Sequence, residues 1–406
     1  MRWIALGGIV VCVLAARLLA PKGSPMPWRV LLWGLGLQLL LGYWLIQNSW
    51  GVALFEQIGR GVTGFLSFAN HGAAFLFGNL VKPEHRHLFG MQVALLIAPT
   101  IIFFSSVISI LYHLGIIQRV VYGVTWVMAR TMRTSGPESL SAAANIFLGQ
   151  TEAPILVRHY LQTATISELH AIMVGGFATI AGSVLGAYIQ LGISAQALIT
   201  ASILSAPGGL MLAKLALPPT GAELSMDSYR STRTTSSLLD AATSGARDGL
   251  MLALNVIAML LAFIALMALL DAGFAWLHSL FPPMPSSLRQ LLGWLFLPMA
   301  YLLGVPAADV QNVAQLLGTK IIANEFVAYT DLSAMLTAGT ISPRGAMIAT
   351  YALCGFANIS SIAIQIGGIG SLVPERRSEI VALGWRAMAV GALTNLLTAS
   401  IASLLG

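Results

Sequence analysis

Two glutamates interrupt otherwise oily surroundings. Glu152 lies in FLGQTEAPILVRHY, residues 147–160, and Glu325 lies in GTKIIANEFVAY, residues 318–329. An ionised carboxylate inside a bilayer costs about 2.5–3.5 kcal/mol on insertion scales, and it persists where contact with a solute or ion in a wet cavity offsets that cost. The competing use is a structural ion pair, with Arg158 or Lys320 as partner. Gln150, Thr151 and Asn358 add uncharged hydrogen-bonding groups near the acids. Amides offer both donor and acceptor, which suits a neutral solute with mixed polar edges, such as a nucleobase or a sugar. The same groups also serve as glue between membrane helices. Asn145, seven residues before Glu152, and Thr179 are hard oxygen donors. With carbonyls freed at a helix break they can hold a small cation; capping the hairpin backbone is their other use. There is no HExxH, P-loop or nucleophile-elbow pattern, and Cys12 and Cys354 lie in apolar stretches. Without a nucleophile or metal set, an enzyme with the glutamates as paired acid and base is disfavoured, and no cofactor is implied.

The surroundings are those of an integral membrane protein. The 406 residues are 57% hydrophobic and 9% charged, against about a quarter charged in a soluble domain. Spanning a hydrocarbon core about 30 Å thick takes roughly 20 apolar helical residues. Uncharged stretches at 30–55, 88–118, 169–213, 249–270, 345–374 and 387–406 meet that need, with 169–213 long enough for two spans broken near Gly192–Ser194. Residues 3–16, extended by snorkelling Arg2 and Arg17, complete eight spans. The N-terminus resembles a signal peptide in outline, but no small-x-small site precedes Arg17, so it counts as a span. The net charge of +6 reflects basic loops and points to no nucleic acid. With the N-terminus outside, fourteen Lys and Arg fall on inner loops and seven outside, as the positive-inside rule requires.

The chain reads as an all-α polytopic membrane protein with eight transmembrane helices, two re-entrant helical hairpins, interfacial helices and an inverted repeat with broken helices. Residues 1–87 form an N-terminal scaffold of two spans plus an interfacial helix. A first repeat over 88–215 holds a span, a hairpin at about 135–160, a broken helix at 170–191 and a helix at 195–215. Residues 216–247 form a cytoplasmic loop, and a second repeat fills 248–406. That repeat holds a span, a hairpin at about 307–335, a broken helix at 345–368 and a last span at 379–405. GFATIAGSV from Gly176 and GFANISSIA from Gly355 share Gly, Phe, Ala and Ile at matching places. An odd number of crossings between the copies inverts one against the other. Paired interrupted segments of this kind point to a transporter's midplane site.

GQTEAP at 149–154, GFATIAGSVLGAY at 176–188, SAPGGLMLAKL at 205–215, GTKIIANEFVAY at 318–329 and GFANISSI at 355–362 occur in order. Together they resemble the concentrative nucleoside transporter family, bacterial members in particular, from about residue 30 to the end. The resemblance implies a homotrimer in the inner membrane with a periplasmic N-terminus. It also makes 286–305 an interfacial helix, which hydropathy alone leaves open. It places the base of a nucleoside against Gln150, Thr151, Glu152 and Val184, and the ribose against Glu325, Asn358 and Ser361, with Phe356 packing on the ligand. Sodium maps to the side chains of Asn145 and Thr179 and the carbonyls of Leu148 and Ile180. Proton-using relatives lack the asparagine, so Asn145 favours sodium. Gly149, Ser183 and Val184 occupy positions that set purine against pyrimidine preference, in a combination compatible with uridine and with purine nucleosides. The expected function is sodium-driven nucleoside import by alternating access, with proton coupling on the same fold as the alternative.

Overall fold

The computed structural model describes residues 2–90, 92–219 and 235–406. Residues 220–234, nearly half of the expected 216–247 loop, lie outside the described residues. Among the described residues the secondary structure is helical throughout. Six helices are long and apolar enough to cross a bilayer: Trp28–Gln47, Val93–His113, Ile166–Gln190, Ala195–Ala216, Leu238–Leu280 and Pro374–Leu405. Ile4–Leu18 and Ile359–Leu372 are apolar but shorter. At 15 residues, Ile4–Leu18 rises about 22 Å.

These helices divide by what surrounds them. Leu238–Leu280, Val93–His113 and Trp28–Gln47 turn most of their apolar surface outward, whereas Ile166–Gln190 is 94% buried and Ala195–Ala216 is 89% buried. A helix that is apolar all round and exposed faces lipid; one that is apolar and enclosed forms a protein core. The two outward-facing helices Val93–His113 and Leu238–Leu280 pack along each other through a stripe of small residues, Ala241, Gly245, Gly249 and Ala253. A Cβ at Gly245 would stand 2.6 Å from the Ser105 carbonyl. Small residues let membrane helices approach this closely.

That stripe explains one departure from expectation. Leu238–Leu280 runs 43 residues and begins inside the expected loop. Ser237 caps it by accepting from the Asp240 N–H, and its first turns carry Ala, Gly and Ser, which hydropathy scores as loop. A second departure is the helix Ile116–Met132, absent from the expected order. It buries Ile117, Val121, Thr125, Met128 and Met132 on one stripe, the spacing of an amphipathic helix. It precedes the first hairpin as Leu288–Leu302 precedes the second. Each half therefore runs in the same order: long helix, amphipathic helix, hairpin, broken helix, long helix.

Both hairpins occur as helix–break–helix. The first is Gly136–Ala144, a turn, then two single-turn helices Ala153–Leu156 and Arg158–Leu161. Ser135 and Glu138 form a capping box, with Glu138 Oε1 accepting from the Ser135 N–H at 2.8 Å. The other Glu138 oxygen meets Lys214 Nζ at 2.7 Å in a fully buried ion pair. Lys214, expected in an inner loop, is thus a core residue. The second hairpin is Val310–Ile322 and Glu325–Ala338. Asn324 caps its return arm, Oδ1 accepting from the Val327 N–H at 2.9 Å. Asp309 ties its start to the next helix by accepting from the Ser342 N–H at 3.1 Å and from the Ser342 hydroxyl.

Both expected breaks are present. The first broken helix is Ile166–Ala178 and Gly182–Gln190; the second is Pro343–Leu353 and Ile359–Leu372. The matching letters GFA do not mark matching places. Gly176, Phe177 and Ala178 end the first half-helix, whereas Gly355, Phe356 and Ala357 lie inside the second break. Thr179 is the C-cap of the first half, with extended backbone at φ −123° and ψ 168°.

Candidate functional site

The two breaks touch. The Phe356 N–H, in the second break, donates to the Thr179 carbonyl, in the first, at 3.1 Å. Each hairpin turn is laid against its own repeat's break and reaches the other. The Gly182 N–H donates to the Phe147 carbonyl at 3.1 Å, and a Cβ at Gly149 would lie 3.2 Å from Ala181 Cβ. At Gly176 three elements converge. A Cβ there would meet Gln150 Cβ at 2.9 Å and Gln365 Nε2 at 2.7 Å.

One hydrogen-bonded chain crosses this junction. Glu325, 5% exposed, accepts from the Tyr188 hydroxyl at 3.1 Å and from Asn358 Nδ2 at 2.9 Å. Asn358 Oδ1 accepts from the Ser361 N–H at 2.8 Å and from the Ser360 hydroxyl at 2.7 Å. Ser361 Oγ in turn receives Gln150 Nε2 at 3.3 Å. Gln365 Nε2 donates to Gln150 Oε1 at 3.2 Å and to the Met173 carbonyl at 3.0 Å. The chain therefore runs from the second hairpin through the second broken helix to the turn of the first hairpin. Tyr188 rests against Phe326 and Tyr329, with ring centroids 5.2 and 4.4 Å apart, and the Tyr329 hydroxyl is spent on the Thr350 carbonyl at 2.8 Å. Packing of this kind fixes the tyrosine that fixes the carboxylate.

Glu152 is placed differently. It is exposed, its Oε2 accepting from the Gly149 N–H at 3.1 Å. It lines a cavity of about 250 Å³ with Ser105, Ser109, Leu148, Ser183 and Asp248. Glu325 is not among the lining residues. Gln150, two residues before Glu152, makes the link to the second repeat. Neither glutamate forms an ion pair among the described residues, and the expected partners are engaged elsewhere. Arg158 Nε donates to His159 Nε2 at 3.3 Å, and Lys320 donates to the Ala352 carbonyl and Asn395.

The other expected contacts surround the junction. Thr151 packs on the second broken helix, where a Cβ at Gly368 would come within 2.7 Å of Thr151 Cγ2. Val184 is buried and Phe356 half-buried. Asn145, Leu148, Thr179 and Ile180 are all buried. Asn145 Nδ2 donates to the Ser141 carbonyl at 2.9 Å, leaving Oδ1 buried without a partner. Thr179 Oγ1 donates to the Gly175 carbonyl at 3.0 Å, which directs its lone pairs elsewhere. Asn145 Nδ2 also lies 3.1 Å from a Cβ built at Gly175, so both side chains border the same glycine. A buried oxygen with no donor carries a desolvation cost of about 1–3 kcal/mol. Together these hard oxygens fit a small cation.

Three residues at the junction have no place in the sequence reading: Tyr188, Gln365 and Asn395. Each is a buried polar group in a largely apolar helix, the signal that marks such positions in a membrane.

The chain is similar to known proteins over its whole length. Residues 197–403 match the family described as Na+ dependent nucleoside transporter C-terminus, and residues 7–80 match its N-terminus counterpart. Residues 94–195 match a family described as Gate, nucleoside recognition. Sodium/nucleoside cotransporter 1 of Rattus norvegicus is 42% identical over 97% of this chain, and solute carrier family 28 member 3 of Homo sapiens is 40% identical over 99%. The chain spans 63% and 60% of the length of these two relatives. The solved structure of CNTnw in an inward-facing substrate-bound state is 37% identical, with a TM-score of 0.94 over 100% of this chain and 98% of that one. By matches that cover its length, this multi-pass membrane protein belongs to the Na+-dependent nucleoside transporter family.

Proposed function

We propose that the chain imports nucleosides across a bacterial inner membrane by sodium symport with alternating access. The single observation that carries this reading is the hydrogen-bonded chain from Glu325 to Gln150, which joins both hairpins where both helices break. A carboxylate is a strong acceptor for two vicinal hydroxyls, so Glu325, with Asn358 and Ser361, takes the ribose. Gln150 and Thr151 take the polar edges of the base, with Glu152 reaching it in part through water, and Val184 and Phe356 pack against the ring. Uridine and purine nucleosides fit this set, with Gly149, Ser183 and Val184 tuning the choice.

Sodium binds between Asn145, Thr179 and the carbonyls of Leu148 and Ile180. It thereby knits the turn carrying Gln150 to the first break and pre-forms the base site. The coupling is reciprocal, since each ligand must tighten the other by the same factor. One cation moving inward gains about 2.3 kcal/mol per 100 mV, plus its concentration gradient. Ile4–Leu18 and the joined halves of the second broken helix complete eight crossings, the two hairpins are re-entrant, and the amphipathic helices lie at the interface. The buried core moves against the lipid-facing helices in a homotrimer whose N-termini are periplasmic. The family is one of transporters and not of enzymes, so the nucleoside leaves unchanged.

The test is uptake of labelled uridine and adenosine into proteoliposomes under imposed sodium, proton and voltage gradients. Accumulation of intact nucleoside driven by sodium is expected. Uptake indifferent to sodium and abolished by collapsing a proton gradient would move the coupling to a proton.

A further inference from the structure

The end of the second hairpin's first arm holds a feature that the proposed transport cycle does not use. Lys320, 2% exposed, lies in the last turn of Val310–Ile322. Its ammonium donates to the Ala352 carbonyl at 2.8 Å and to Asn395 Oδ1 at 2.6 Å. Asn395 Nδ2, from the last helix, donates to the Ala178 carbonyl at 2.7 Å and the Cys354 carbonyl at 2.8 Å. Ala178 ends the first half-helix before one break, and Cys354 is the C-cap before the other. Lysine and asparagine together thus satisfy the carbonyl ends of two interrupted helices, where partial negative charge gathers. The site is tightly enclosed: a Cβ at Gly355 would fall 2.4–2.7 Å from the Asn395 amide.

The first repeat sets a polar residue at a comparable place, with different chemistry. Asn145 is the C-cap of the first hairpin's first arm and lies against the last turn of Ile166–Ala178, at Gly175. Lys320 is in the last turn of the second hairpin's first arm and lies against the last turn of Pro343–Leu353, at Ala352. In the first repeat the buried Asn145 Oδ1 has no partner. In the second the corresponding oxygens already hold a cation, and it is covalently attached.

We propose that Lys320 is a tethered cation that fills, in the second repeat, the place where the first repeat takes an exchangeable one, so that each nucleoside moves with one external cation. This rests on the sodium-coupled reading above. The lysine travels with the protein in both directions and so adds no charge to a cycle. Replaced by a small polar residue, it leaves the Ala352 carbonyl and Asn395 Oδ1 as hard oxygens suited to sodium.

The experiment measures charge moved per uridine, from the reversal potential of uptake in proteoliposomes, and the sodium Hill slope. It compares wild type with Lys320→Ser. Wild type is expected to move one charge per uridine with a slope near one; the variant is expected to move two, with a steeper slope. A variant that transports with an unchanged ratio and slope overturns the proposal, since the lysine is then only structural. If the variant folds without transporting, binding of radioactive sodium to purified protein decides: two ions per chain support the proposal, and one or none overturns it. If the variant does not fold, wild type decides: one charge supports and two overturns. Wild-type uptake that ignores sodium sinks the symport reading itself, and that is visible before any ratio is taken.

Discussion

The first hairpin's leading arm ends on an amide oxygen with no partner, and the second's ends on a lysine with two. The backbones are alike: arm, turn, return arm, then a helix that breaks and exposes carbonyls. The side chains differ, and the difference divides the labour. One repeat is left short of a positive charge and is proposed to borrow it from outside. The other carries its own. A repeated fold therefore does not oblige a repeated ion site; the residue at the arm's end decides.

The largest expected effect attacks the second repeat. Glu325→Gln removes the charged acceptor proposed for the ribose hydroxyls. Uridine affinity should fall by about 3 kcal/mol, roughly a hundredfold, as two charge-assisted hydrogen bonds weaken. Equilibrium binding to purified protein reads this directly, and an unchanged affinity would place the ribose elsewhere. Next comes a matched pair of glycine substitutions, one in the second break and one in the first hairpin's turn. Gly355→Ala drives a methyl into Asn395, whereas Gly149→Ala meets only Ala181 Cβ at 3.2 Å. Overpacking costs about 1–3 kcal/mol. Thermal unfolding in detergent should show a clearly lower midpoint for Gly355→Ala and little change for Gly149→Ala. Equal midpoints would mean the lysine–asparagine node is no more rigid than the first turn. The smallest effect is expected from Tyr188→Phe, which removes one hydrogen bond to Glu325 and keeps the ring. A weakening of about 1 kcal/mol, roughly fivefold, should appear in uridine affinity. If the sodium affinity dropped instead, Tyr188 would serve the first repeat and not the second.

The positions of the hairpins were readable because an acid between helix breakers has few explanations in lipid. The partners of those acids were not. Tyr188 meets Glu325 across 137 residues, and Gln365 meets Gln150 across 215. One polar residue in an apolar helix announces that it has a partner but not which one. Letter matching also misled in detail. GFA recurs, yet it is helical at 176–178 and unwound at 355–357. Hydropathy failed for small residues: the first turns of Leu238–Leu280 scored as loop, although Ala241, Gly245 and Gly249 are buried where that helix packs on Val93–His113.

Coupling between the repeats is measured most directly by a pair of titrations on purified protein. Uridine is titrated with and without saturating sodium, and sodium with and without saturating uridine. The junction of turn and break predicts that each tightens the other by one common factor, in the range of about 5–150-fold, and that Asn145→Ser shrinks this factor while uridine still binds. Uridine affinity indifferent to sodium in wild type would contradict a cation site built between Asn145 and Thr179.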